Sequence, residues 1–112
     1  MTYEVRLLEP AHEFIKGLDT KLKARVYWAL GLLKDTGPFL VELYAKKIQD
    51  IKGLYELRVQ SGNLICRMFY FHDEDAIYIV TSGFLKKKQK TDRRELDRAV
   101  ALMKRYQEEQ HG

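Results

Sequence analysis

The spacing of apolar residues changes period several times along the chain, and each change marks an element. In "TYEVRLL", Tyr3, Val5 and Leu7 alternate with Glu4 and Arg6, the period of a half-buried strand. Pro10 suits the first turn of a short helix, "PAHEFIKGL", where its missing amide costs nothing. Asp19 can cap a second helix, which places Leu22, Val26, Ala29, Leu30 and Leu33 on one face and stops at Gly37-Pro38. The segments "FLVELYAKKI", "LYELRVQ", "LICRMFYFH" and "AIYIVTSGF" then read as strands. Asp92 with Glu95 matches a capping box, opening a last helix with Leu96, Ala99, Val100, Met103 and Tyr106 on one face. The predicted order is β-α-α-β-β-β-(β)-α. This is an α+β fold: a small, mainly antiparallel sheet, two N-terminal helices and a C-terminal helix. With no repeat or long linker in view, residues 1–112 are expected to form one domain.

The central hairpin fixes which side chains share a face. A two-residue turn at Ser61-Gly62 or at Gly62-Asn63 puts Tyr55, Leu57 and Val59 with Leu64, Cys66, Met68 and Tyr70, an apolar layer for helices to cover. Glu56, Arg58 and Arg67 fall on the other face. The Gly62-Asn63 turn sets the two arginines directly opposite, and the alternative leaves them diagonal. Like charges in such positions destabilise a sheet, so the pair calls for an explanation: an ion-pair ladder through Glu56, or an anion site. If Ile77 and Ile79 join the apolar layer, alternation adds Tyr78, Val80, Ser82 and Phe84 to the arginine face. Phe84 is then either core beneath the last helix or a platform on which a base stacks. Since neither arginine belongs to the apolar layer, replacing Arg67 is expected to leave folding intact.

Charge sharpens the picture. The net charge is +4 over 112 residues, yet residues 1–45 balance six bases against six acids, so the excess lies in the second part. It concentrates in "KKKQKTDRR", which holds six bases in nine positions. Closely spaced like charges repel, and an anionic partner relieves the repulsion. Lys46 and Lys47 end the preceding strand and border the same region. Cys66 stands alone, which excludes an internal disulfide and fits a reducing compartment. The N-terminus lacks the pattern of a signal peptide, and no apolar run approaches the roughly 20 residues of a membrane span. A cytoplasmic chain with no membrane partner is the expectation. His12, His72 and His111 are scattered, and no close spacing of His, Asp or Glu resembles a metal site, so no metal or other cofactor is expected.

The motifs "GLYELRV", "CRMFYF" and "SGFLKKKQKTDRREL", in this order and over nearly the whole chain, resemble the RelE/HigB superfamily of bacterial toxins from type II toxin-antitoxin modules, and in particular its phage-derived HigB-like branch. The resemblance implies a RelE-like fold and a small endoribonuclease, an mRNA interferase that cuts messenger RNA, usually on the ribosome, and so inhibits translation. It also implies a cognate antitoxin, of helix-turn-helix type, as partner. Arg58 matches a basic position on the family's central strand, Arg67 the arginine before its "FY"-like pair, and Lys86 and Lys87 the basic positions after the final strand. Phe84, Lys90 and the start of the last helix match the branch's own pattern. Several toxins of the RelE type carry a tyrosine or histidine just after the last strand that serves in proton transfer, and this chain has neither between Gly83 and Tyr106.

Metal-independent RNA cleavage by the ribose 2′-hydroxyl needs a proton acceptor, a proton donor and cations for the charge on phosphorus. Arg58 and Arg67 suit the last task, because a guanidinium binds two phosphate oxygens at once. A lysine such as Lys87 can transfer protons if neighbouring cations depress its pKa, and Glu56 is a candidate base or a structural partner of the arginines. Lys46, Lys47, Phe84, Lys86, Lys88, Lys90 and Arg94 are the candidate RNA contacts. Two other readings use the same fold or surface: a ParE-type gyrase poison, and a non-catalytic RNA-binding regulatory module.

Overall fold

A computed structural model describes residues 2–40, 44–86 and 92–111. In chain order the elements are β1 (Glu4–Leu7), α1 (Glu9–Lys16), α2 (Thr20–Thr36), a 3-10 turn (Gly37–Phe39), β2 (Ala45–Lys47), β3 (Leu54–Ser61), β4 (Leu64–His72), β5 (Ile77–Lys86) and α3 (Arg93–His111). The strands form one sheet ordered β1-β5-β4-β3-β2, with β1 parallel to β5 and every other pair antiparallel. The α+β reading and its element order hold. The strand expected over "FLVELYAKKI" is shorter: Gly37–Phe39 is a 3-10 turn and pairing covers Ala45–Lys47, while residues 41–43 lie outside the described residues.

Local chemistry sets the helix ends. The Asp19 carboxylate accepts from the Leu22 amide at 2.8 Å, and all five apolar residues read at helical spacing on α2 are buried. Asp92 caps α3 by accepting from the Arg94 amide at 2.9 Å. Gly37 ends α2 with φ +54, a conformation that costs glycine little, and the Tyr3 ring occupies the space a side chain there would need.

The sheet is covered on both faces. One face carries Leu57, Val59, Cys66, Met68, Tyr70, Tyr78 and Val80 beneath α1 and α2. The other carries Leu54, Phe69, Phe71 and Ile79 beneath Leu96, Ala99 and Met103 of α3. This arrangement corrects the alternation expected for β5. Ile77 and Ile79 lie on the α3 face, and Tyr78 and Val80 on the face of α1 and α2. Ser82 and Phe84 do share the arginine side, since Ser82 pairs with Phe69 and Phe84 with Arg67. The cause is a β-bulge: Val80 pairs with Tyr70 and Ser82 with Phe69, so Thr81 is an extra residue and the parity of the strand inverts there. The buried Thr81 hydroxyl donates to the Phe69 carbonyl at 3.3 Å.

Candidate functional site

The β3–β4 turn lies at Gly62-Asn63, with Ser61 paired to Leu64 and Gly62 at φ 59. Of the two registers open to the sequence, this one sets Arg58 directly opposite Arg67. Across β2, Lys46 pairs with Glu56; across β5, Phe84 pairs with Arg67. Lys46, Glu56, Arg58, Arg67 and Phe84 therefore share one face of the sheet.

Glu56 organises this face. Its Oε1 accepts from Arg67 Nη1 at 2.6 Å and stands 3.8 Å from Arg58 Nε. The Arg67 and Glu56 side chains are 1% and 2% exposed, and that of Arg58 is 28% exposed. Two guanidiniums around one carboxylate leave a net positive charge, and Arg58 is the member that reaches solvent. The arginines were not expected to belong to a packed layer. They do, because α3 and the aromatic residues Phe69, Phe71 and Phe84 build a second core on this side of the sheet. Removing Arg67 therefore bears on folding as well as on chemistry.

The remaining candidates divide. Phe84 is partly buried and stacks on Phe69, with ring centroids 5.9 Å apart at 24°, so its ring packs in the second core. Lys86 Nζ pairs with Asp92 Oδ2 at 3.2 Å, joining the end of β5 to the start of α3. That hydrogen bond, followed by those from the Arg94 and Glu95 amides, holds the Asp92 carboxyl below its ordinary pKa. Arg94 is exposed in the first turn of α3. Lys47, expected to border the arginine region, pairs with Tyr55 and lies on the opposite face from Lys46, as successive residues of a strand must. Lys87, Lys88 and Lys90 lie outside the described residues. Glu9, His12 and Glu13, which the sequence spacing did not single out, come together on the exposed side of α1 with ligand atoms within 4.8 Å of one another. No helix among the described residues is long and apolar enough to cross a membrane.

One arrangement was missed in the sequence. Tyr55, Tyr70 and Tyr78 meet on the face of α1 and α2, with Tyr3 edge-on to Tyr78 and His72 beside it at 5.0 Å between centroids. The tyrosines occupy alternate positions on neighbouring strands, a signal indistinguishable from ordinary apolar patterning.

Comparison with known proteins places this geometry. Residues 13–104 match the family described as Phage derived protein Gp49-like (DUF891). A search of curated proteins finds no match. Among solved structures, a doubly substituted free form of the E. coli toxin RelE superposes with TM-score 0.67 at 19% identity, covering 90% of this chain and 97% of that one. RelE of the archaeal RelE-RelB complex from Pyrococcus horikoshii OT3 gives 0.58 at 19% identity, covering 81% and 100%. The toxin-antitoxin complex RelBE2 from Mycobacterium tuberculosis gives 0.57 at 19% identity, covering 77% and 100%. At these identities the structures establish the fold, and the family match establishes kinship over most of the chain. The chain is a member of the phage-derived Gp49-like family and has the fold of the RelE toxins.

Proposed function

We propose that the chain is the toxin of a type II toxin-antitoxin module and acts as a metal-independent endoribonuclease that cuts messenger RNA on the ribosome, in the cytoplasm. The observation that carries this reading is the cross-strand pair Arg58 and Arg67 on a RelE fold, one strand away from the residue that leads into the basic segment 86–94. Arg58, the more exposed guanidinium, binds the scissile phosphate. Arg67, bound to Glu56, acts from beneath as fixed positive charge and as an anchor. In the reaction the 2′-oxygen gives its proton to a base and attacks phosphorus, and the 5′-oxygen leaves with a proton supplied by an acid. Positive charge fixed in advance stabilises the oxygens on which charge develops. Lys87 is the proposed proton-transfer group; Lys46, Lys86, Lys88, Lys90 and Arg94 are proposed to carry flanking phosphates. Lys86 must exchange Asp92 for phosphate to do so. An acidic amphipathic segment of a helix-turn-helix antitoxin would cover the same charges, in keeping with the RelB complexes of the structural relatives.

The test is cleavage of a translated message in a reconstituted translation reaction. Arg58→Ala is expected to slow cleavage on the order of 10²-fold, as loss of one charge-stabilising donor does elsewhere, with far-UV circular dichroism unchanged. A normal rate in folded Arg58→Ala overturns the assignment. Intact transcripts together with inhibited DNA supercoiling by gyrase would favour the ParE-type reading instead.

A further inference from the structure

A cavity of about 320 Å³ opens on the face of the sheet away from the arginine pair, between the 3-10 turn, β2 and the tyrosines of β3, β4 and β5. That volume is at the small end of the roughly 300–1,000 Å³ typical of small-molecule sites. Tyr55, Tyr70, Tyr78, His72, Lys46 and Lys47 contribute to its lining. The Tyr55 and Tyr70 rings are stacked at 5.5 Å and 20°, and Tyr78 meets Tyr70 edge-on at 5.8 Å and 70°. Tyr70 and Tyr78 are only 4% and 5% exposed, yet neither hydroxyl is a buried polar atom lacking a partner, so the rings pack in the sheet face while the oxygens are not sealed away. Burial, and then the neighbouring tyrosines, push the Tyr70 and Tyr78 hydroxyls above their usual pKa, so each enters a complex as a neutral donor.

Flat aromatic walls, neutral hydroxyl donors and the Lys47 cation on one small cavity suit a ligand with a planar heteroaromatic part and an anionic part. A lipid would leave the hydroxyls unpaired, and an acidic peptide has no use for a stacked aromatic wall. We infer that this cavity is a nucleotide-binding site, in which one base lies against the tyrosine rings with its polar edge toward their hydroxyls and its phosphate rests on Lys47. The position of β2 gives the site a route to RNA. It is the edge strand, with Lys46 opposite Glu56 on the arginine face and Lys47 opposite Tyr55 on the tyrosine face. A single strand crossing that edge passes from one face to the other over consecutive lysines. The site stands without the cleavage reading; where both hold, its nucleotide belongs to the same RNA chain as the scissile phosphate.

Protein made in a cell-free system is titrated with AMP, GMP, CMP and UMP, with ribose 5-phosphate, and with a short 2′-O-methyl oligonucleotide that resists cleavage, by calorimetry and by NMR of the tyrosine rings. At least one nucleotide is expected to bind and shift the ring signals, at least tenfold more tightly than ribose 5-phosphate. Lys47→Ala should weaken it about tenfold, as loss of a charged hydrogen bond does. Tyr78→Phe, which keeps the ring, should weaken it by about threefold, as loss of a neutral hydrogen bond does. An oligonucleotide that binds more tightly than any mononucleotide identifies RNA as the source; equal affinity identifies a free nucleotide. The inference is overturned if no nucleotide binds at millimolar concentration, if ribose 5-phosphate binds as well, or if Lys47→Ala binds as the parent does. Cleavage by the same preparation is a separate readout. Binding without cleavage keeps this site and removes the reading of the arginine pair; cleavage without binding does the reverse.

Discussion

Arg67→Ala should destabilise the fold strongly, and the structure allows the size to be worked out. The substitution leaves the Glu56 carboxylate, 2% exposed, without the guanidinium now 2.6 Å away. Removing one partner of a buried ion pair costs about 3–5 kcal/mol, because the other charge stays desolvated. Arg58 Nε already stands 3.8 Å from the same oxygen and takes up part of the charge, so the lower end, about 3 kcal/mol, is expected. Against a total stability of roughly 5–15 kcal/mol this is a large fraction. In urea, with a slope of about 1–3 kcal/mol/M, the midpoint should fall by about 1–3 M. Glu56→Leu combined with Arg67→Met removes both charges and should be far closer to the parent than either single change, giving a coupling energy in a double-mutant cycle. Urea unfolding followed by far-UV circular dichroism measures all five chains: the parent, Arg67→Ala, Glu56→Leu, Arg67→Met and the double variant. If Arg67→Ala shifts the midpoint by less than about 0.3 M and the double variant recovers nothing, the pair is not a buried constraint and the reasoning fails. Loss of cleavage in Arg67→Ala can be ascribed to chemistry only after this measurement.

Three further predictions concern other parts of the fold. Cys66 is buried, and burial alone pushes its thiol up to about 12; it should resist a disulfide reagent at pH 8 in the folded protein and react on unfolding. Because the unfolded thiol ionises first, stability should fall as pH rises from 9.0 toward about 12, and an unchanged urea midpoint across that window would contradict the burial. Gly83→Ala should destabilise the packing of α1 on β5, since a Cβ there would lie 2.6 Å from the Phe14 ring and 3.0 Å from the Arg67 carbonyl; an unchanged melting temperature would show that Phe14 moves aside freely. The Asp92 carboxyl is depressed by Lys86 and the helix amides, so its contribution should be present above 3.8, the ordinary carboxyl pKa, and be lost as pH falls through the lower folded value; a stability difference between parent and Asp92→Asn that does not shrink on acidification would refute that linkage.

Much of this architecture is legible in the chain itself. Period and capping chemistry are local, so the apolar faces of α2 and α3 and the Asp19 and Asp92 caps follow from residues a few positions apart. The register of β3 and β4 also follows, down to two options, because the turn residues "SGN" are local too. What is not legible depends on the pairing of distant segments. The bulge at Thr81 is invisible to alternation, since an extra residue shows only against a partner strand. The burial of Arg67 and Glu56 depends on where α3 lies, and no residue near them announces it. Lys46 and Lys47 look like one basic dipeptide, and only pairing with β3 shows that the sheet separates them.

The parallel pairing of β1 with β5 has a consequence for how the chain acquires its structure. Glu4 has no partner until Ile77 exists, whereas β3, β4 and β5 form a meander of neighbouring strands. Contacts between distant segments carry the larger loop-closure cost, so the meander is expected to form first, with the N-terminal strand and its helices docking onto it afterwards. On a ribosome moving at roughly 5–20 residues per second, the first elements made must wait for β5, which supplies side chains to both cores through Tyr78, Val80 and Ile79. A nascent chain stopped before β5 should be as protease-sensitive as an unfolded one, and protection should appear in a single late step. For a protein proposed to act on the ribosome, this timing leaves it unfolded until β5 has emerged from the one that makes it.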